Sequence, residues 1–117
     1  MIYQSDHESD IPGWVDISHF YSFTKTSEEV SVICKQPEYV PPGNHKIAGY
    51  RKIIKINGPF SLEQTGIIAG VSGILALNGI PIFTISTYNT DYILLEEKDL
   101  EKAIGVLRDG GYEITCE

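Results

Sequence analysis

From Tyr50 to Cys116 the hydrophobic period of the chain switches between strand-like and helix-like spacing in one order: strand, helix, strand, strand, helix, strand. Tyr50 to Ile56 alternates as a strand and is closed by Asn57-Gly58-Pro59. Ser61 is placed as an N-cap, with Gln64 three residues later completing a capping box, which predicts a helix running to about Leu77. Asn78-Gly79 then supplies a left-handed stop. Ile80 to Thr87 and Asp91 to Glu96 read as strands, and the link Tyr88-Asn89-Thr90 is short enough to make them an antiparallel hairpin. Leu100, Ala103, Ile104 and Leu107 recur at i, i+3, i+4, i+7, the stripe of an amphipathic helix over Asp99 to Asp109. Gly110-Gly111 ends it, and Tyr112 to Cys116 is a last strand. Two right-handed β-α-β crossovers around a central hairpin give a four-stranded antiparallel sheet with both helices on one face. The expected class is α+β, ferredoxin-like βαββαβ, a fold that hosts many activities and selects none.

The part before Tyr50 is less regular. A chain of 117 residues and 13.0 kDa holds one domain or two very small lobes. Residues 1–19 read as a polar lead-in with a turn at Pro12-Gly13 and Trp14 as its one large apolar anchor. Phe20 to Lys25 and Val30 to Lys35 are short strand candidates on either side of Thr26-Ser27-Glu28-Glu29. Pro37, Pro41, Pro42 and Gly43 exclude regular structure through about residue 48. The expected division is an abbreviated lobe over 1–48 and a complete one over 49–117. Sliding the first lobe by 62 positions lays Phe20 to Thr24 on Ile82 to Ser86, Glu29 on Asp91, Val32 on Leu94 and Gly49-Tyr50 on Gly111-Tyr112, which reads as a degenerate duplication.

Charge and cysteine usage narrow the function classes. Nine basic against 16 acidic residues leave a net charge of −7, and the lysines are dispersed, which argues against nucleic acid and anionic membrane surfaces. The longest apolar run, Ile67 to Leu77, falls well short of the ~20 residues of a membrane span. Met1 to Asp16 carries four acids and lacks the basic region of a signal peptide. Cys34 and Cys116 have no ligand-like spacing and read as reduced thiols of a cytoplasmic protein, with a single disulfide between them as the alternative. His7, His19 and His45 all lie outside the hairpin; Asp6-His7-Glu8-Asp10 reads as a frayed acidic terminus rather than a metal cluster. No triad, carboxylate pair or metal motif emerges, so neither catalysis nor a metal or cofactor is expected.

Two places could hold a ligand. The turn from Gly58 to Gly66 leads from strand to helix, where free N–H groups attract an anion such as a carboxylate. It lacks the lysine and dense glycines of a phosphate loop. Gly66, Gly70 and Gly73 fall on one helical face, which serves either close helix–sheet packing or close approach of a ligand. The second place is Thr84 to Asp91, with four Ser and Thr hydroxyls, an amide and a carboxylate around one hairpin. Turn polarity accounts for Asn89 and Thr90. Asp91 at the head of an Ile- and Leu-rich strand is less expected, and could either hold the turn or receive an amino group or basic side chain.

Phe60-x-Leu62-x-x-x-Gly66-Ile67-Ile68-Ala69, followed by Leu77-Asn78-Gly79-Ile80-x-Ile82, resembles an ACT domain, the amino-acid-sensing module of metabolic enzymes. Ile85 to Leu94, with Thr26-x-Glu28-Glu29-Val30 to Cys34, is similar to small tandem ACT proteins related to the CASTOR arginine sensors and to the regulatory part of aspartate kinases. The resemblance implies a non-catalytic sensor that binds an amino acid at an interface between lobes or subunits, as a homodimer or on a regulated enzyme partner. It implies ligand contacts at Phe60, Ser61, Leu62, Glu63, Thr65 and Gly66 and at Ile85, Ser86, Thr87 and Asp91, with Ser31 and Val32 as first-lobe contributors. Pro81 and Thr65 depart from the usual asparagine and proline of that pattern. An ACT module that binds partners without a ligand is the alternative. An acylphosphatase-like enzyme is disfavoured, because the strand-to-helix turn carries no basic residue.

Overall fold

In the computed structural model, residues 1–6, 10–43, 45–57 and 66–116 are described. They form two compact units, Met1–Tyr50 and Arg51–Glu117.

The second unit contains the strands β5 (Lys52–Ile56), β6 (Phe83–Ser86), β7 (Asp91–Leu95) and β8 (Ile114–Cys116), with helices α1 (Ile67–Leu77) and α2 (Leu100–Asp109). Its antiparallel sheet runs β6-β7-β5-β8, the order that two crossovers around a hairpin produce. One face carries Ile54, Ile56, Ile93 and Leu95, and these meet Val71 and Leu75 of α1 and Ala103 and Leu107 of α2 in one buried cluster. Each fully buried Leu or Ile there contributes about 1.5–3 kcal/mol relative to exposure.

Both helices stop by the same device. Ile80 N–H returns to the Leu75 carbonyl and Gly79 N–H to Ala76, while Tyr112 N–H returns to Leu107 and Gly111 N–H to Arg108. Gly79 and Gly111 occupy the left-handed position this motif requires, at φ 69° and 89°. Lys102 of α2 adds an ammonium 3.0 Å from the Asn78 carbonyl at the negative end of α1. The start of α1 differs from expectation. The helix begins at Ile67 with Gly66 as N-cap in a left-handed conformation, whereas the expected capping pair Ser61 and Gln64 lies outside the described residues. The three glycines also divide by role: Gly66 is outside the helix, and a Cβ on Gly70 would overlap the Tyr112 hydroxyl, while one on Gly73 would meet nothing within 4 Å.

The first unit has four strands, β1 (Ile2–Asp6), β2 (Tyr21–Lys25), β3 (Glu29–Cys34) and β4 (His45–Gly49), in the order β2-β3-β1-β4. Position for position this is the order of the second sheet. Two expectations are corrected here. The polar lead-in contains an inner strand, β1, paired with both β3 and β4; its alternation was disguised because only Met1 and Tyr3 bring apolar side chains to the core face. The Pro-rich stretch also gives way to β4 before residue 48, once Gly43 is passed. Among the described residues of this unit there is no helix. Trp14, Val15 and Val40 instead pack onto Met1, Tyr3, Val30, Val32 and Cys34. Val15 is brought there by the turn at Pro12-Gly13, its N–H reaching the Pro12 carbonyl at 3.1 Å, and Trp14 meets Tyr3 edge-to-face with ring centroids 5.1 Å apart.

The duplication is real in topology but its offset is 61 across the hairpins, not 62. Lys25 pairs with Val30 and Ser86 with Asp91, which places Lys25 on Ser86 and Val30 on Asp91. Thr26 and Thr87 close the two turns identically: each donates its N–H and its hydroxyl to the carbonyl three residues on, that of Glu29 or Thr90. A shift of one residue matters, because it exchanges the two faces of a strand. At 61, core-facing Val32 lies on core-facing Ile93; at 62 it lies on Leu94, which is outside the core cluster. Gly49 and Gly111 are likewise not equivalent, since one ends β4 and the other ends α2.

Candidate functional site

The antiparallel register of the second unit collects several polar groups at one end of its sheet. β5 reaches that end at Ile56, which pairs with Asp91, the first residue of β7. Asp91 in turn pairs with Ser86, the last of β6, and Ile56 pairs with Ile114, the first of β8. Because α1 follows β5, the helix N-terminus lies at this same end. Asn57 is fastened there by its N–H to the Glu113 carbonyl at 2.9 Å and by a side-chain bond to the Thr115 hydroxyl at 2.9 Å. Asn57 and Thr115 fix where the chain leaves the sheet on its way to α1. Sequence reading passed over both, since a turn asparagine and a strand threonine become a pair only once the register is known.

Ser86 and Asp91 share the face of Ile93, which is the face covered by the helices. The Ser86 hydroxyl donates to Asp91 Oδ1 at 2.5 Å, so one carboxylate oxygen is held in place and the orientation of the other follows. Thr87 spends its hydroxyl on the Thr90 carbonyl and serves the turn. Ile85 faces the other side of the sheet, opposite Tyr92. Gly66 caps α1 with no side-chain hydrogen bond, and the first turn of the helix carries no acid, so among the described residues no side chain caps its leading N–H groups.

The other expected contacts lie outside the described residues or in the first unit. Phe60, Ser61, Leu62, Glu63 and Thr65 lie outside the described residues. Ser31 and Val32 belong to β3 of the first unit, where Val32 is fully buried in the core and Ser31 points to the opposite face. The structure therefore brings together Ser86, Thr87 and Asp91, with Gly66 at the same end of the sheet.

One other cluster has the composition of a catalytic site. Asp16, Ser18 and His19 lie within 3.1 Å of one another on the surface. Both Ser18 Oγ and Asp16 Oδ2 contact the same nitrogen, His19 Nδ1. A triad instead needs the acid on one ring nitrogen and the nucleophile on the other. The cluster closes a turn, and the Ser18 hydroxyl and N–H hold the Asp16 carboxyl below its usual pKa. Among the described residues no three His, Cys, Asp or Glu side chains are placed to hold a metal ion. No helix among them is long and apolar enough to cross a membrane.

A ferredoxin-like sheet with its polar groups gathered at one end is a small α+β module whose fold does not by itself select an activity. The comparisons make the class specific. The ACT domain profile matches residues 49–109 and a profile for an N-terminal domain matches 2–42. The chain belongs to the ACT domain family. It is 32% identical over 92 residues to the Homo sapiens protein CASTOR3P, an alignment that takes in 69% of this chain and 56% of that one, so the chain spans about half the length of this relative. The crystal structure of protein Atu0741 from Agrobacterium tumefaciens superposes with a TM-score of 0.78 at 34% identity, covering 94% of this chain and 81% of that one.

Proposed function

We propose that the chain is a cytoplasmic sensor whose second unit binds a free amino acid and passes the signal to a partner, either a second copy or a regulated enzyme. The observation that carries this reading is the Asp91 carboxylate, held by Ser86 on the helix-covered face at the end of the sheet where β5 hands over to α1. Asp91 receives the ligand ammonium. The leading N–H groups of α1 receive the carboxylate, an interaction between a helix N-terminus and an anion worth about 0.3–1 kcal/mol when exposed and more when sheltered. Phe60, Ser61, Leu62, Glu63, Thr65 and Gly66 complete the site, as the resemblance implies. A net charge of −7 fits this division of labour, since backbone N–H groups can take the carboxylate where cations are scarce. Regulation then requires that the ligand bind two states of the chain unequally.

Calorimetry against each common amino acid, with oligomer size measured alongside, tests the reading. A ligand at a hundred times its Kd should raise unfolding free energy by about 2.7 kcal/mol. In Asp91→Ala that gain should vanish while the unliganded chain melts nearly as before. One observation favours a second reading, a partner-binding module without a ligand: Asp91 Oδ1 already has the Ser86 hydroxyl, so the pair could serve the hairpin alone. No heat and no change of assembly with any amino acid would decide for that module.

A further inference from the structure

We propose that strand β2 of the first unit is a docking edge for a second copy of the chain, the two β2 strands pairing antiparallel about a two-fold axis at Phe23. β2 lies at the end of its sheet, so among the described residues one side of it has no strand partner. The turn after β2 fixes which backbone groups face that side. Thr26 N–H bonds the Glu29 carbonyl, and antiparallel ladders alternate between hydrogen-bonded and open pairs, so Thr24 and Ser22 are the residues that bond to β3. The far end agrees: Cys34, opposite Tyr21, gives its N–H to the Met1 carbonyl on the other side of β3. Tyr21, Phe23 and Lys25 therefore turn their N–H and C=O groups to the free edge. An edge in that state is a template for another strand.

Side chains set this edge apart from its counterpart in the second unit. Tyr21 and Phe23 lie opposite Cys34 and Val32, on the core face, yet they are 44% and 37% exposed and neither joins the core cluster. On β6 the places of Phe23 and Lys25 are taken by Thr84 and Ser86, which are polar and uncharged. β2 also lacks the devices that ordinarily blunt an edge, since no proline or bulge interrupts it and its one charge, Lys25, stands at its end. What it does carry is complementary to itself. Paired about Phe23, that ring meets Phe23 of the second copy, Ser22 meets Thr24, and Tyr21 meets Lys25, whose ammonium can lie over the phenol ring. The outward-facing pairs exchange both of their backbone hydrogen bonds. Charge selects the same surface. At a net charge of −7 two copies repel one another, whereas β2 has no acid, and this register holds the two lysines at opposite ends of the pair. The contact is isologous and joins two four-stranded sheets into one. It does not depend on a ligand at Asp91.

Sedimentation velocity of the full chain over about 10–500 μM, a range suited to the weak binding of small contacts, tests the assembly, with circular dichroism as the check on folding. Wild type and Asp91→Ala should both pass from monomer to dimer across that range. Phe23→Pro removes an N–H that points to the free edge and so takes no bond from the β2–β3 ladder, while Phe23→Lys sets like charges opposite each other. Each should weaken dimerisation at least about tenfold. For the register, Ser22→Cys and Thr24→Cys chains, both carrying Cys116→Ser, are mixed and mildly oxidised. These positions form an open pair with Cα atoms about 4.5 Å apart, within disulfide reach, so the mixture should give a cross-linked dimer and neither variant alone should. The proposal is overturned if wild type stays monomeric throughout the range, or if a folded Phe23 variant dimerises as wild type does. It is equally overturned if the mixture cross-links no more than Ser22→Cys or Thr24→Cys does alone.

Discussion

Replacing Gly70 and Gly73 by alanine should change stability in opposite directions, although the two residues stand one turn apart on the same helix. Each glycine in the interior of α1 costs roughly 1 kcal/mol relative to alanine, in backbone entropy and exposed backbone. At Gly73 a Cβ would meet nothing within 4 Å, so Gly73→Ala should recover about that 1 kcal/mol. At Gly70 the Cβ would overlap the Tyr112 hydroxyl and sit 3.4 Å from Cζ, an ordinary contact. Only the hydroxyl is in the way. Tyr112 packs against the core of its unit, so moving its ring is an overpacking event costing about 1–3 kcal/mol. Set against the helical gain, Gly70→Ala should lose about 1 kcal/mol net, or roughly 4–8 °C in Tm for a unit of this size. Tyr112→Phe removes the obstructing oxygen, and in that background Gly70→Ala should turn stabilising by about 1 kcal/mol. The whole interaction is then read as a double-mutant cycle. Far-UV circular dichroism at a helix wavelength is the suitable signal, because both described α-helices belong to the second unit. If Gly70→Ala stabilises the wild-type chain as much as Gly73→Ala does, the close approach of Tyr112 to α1 is wrong.

Leu75→Ala, which empties a fully buried position of α1, should cost about 2–5 kcal/mol by urea denaturation, and a loss below about 1 would mean that α1 does not seal this core. Native alkylation should modify exposed Cys116 first, while burial shields the Cys34 thiol and pushes its pKa up; equal rates at the two cysteines would contradict the placement of β3. The Asp16 carboxyl is lowered chiefly by the Ser18 hydroxyl and then by the Ser18 N–H, so the order it gives the turn is complete above the ordinary carboxylate pKa of about 3.9 and fades as pH falls through the lower folded value. The Ser18 amide shift should therefore titrate with a midpoint below about 3.9 and lose its titration in Asp16→Asn; a midpoint at or above that value would refute the contact.

The second unit was largely legible because its signals are local. The stripe Leu100, Ala103, Ile104 and Leu107 announces α2, and Gly79 and Gly111 announce both helix ends, since few residues besides glycine tolerate the conformation found there. The start of α1 was not legible: Ser61 with Gln64 is a good local cap, yet the helix starts after Gly66. β1 escaped for the opposite reason. Ile2-Tyr3-Gln4-Ser5-Asp6 has weak strand character, and what makes it a strand is pairing on both sides with β3 and β4, partners more than 20 residues away in sequence. Of the candidate site, Ser86 and Asp91 were visible as polar residues out of place in an apolar hairpin. Asn57 and Thr115 were not, because their meaning depends on the register of β5 with β8.

The one-residue difference between the offsets 62 and 61 bears on what has been duplicated. A shift of 62 matches residue types along the hairpin, and alternating strands reward a wrong-face alignment almost as well as a right one. The offset of 61 is marked instead by a turn, Thr26 to Glu29 against Thr87 to Thr90, whose hydroxyl-to-carbonyl closure fixes the phase of both strands. With the phase set, differences between the units become interpretable position by position. Val30 stands where Asp91 stands, so the carboxylate proposed to bind ligand in the second unit has an apolar core residue as its counterpart in the first. Ser5 and His45 stand where Ile56 and Ile114 stand, so polarity moves from one rung to another at the same end of the sheet. Two copies of one sheet have thus kept their strand order and hairpin register while differing in which strands bear the polar groups of that row.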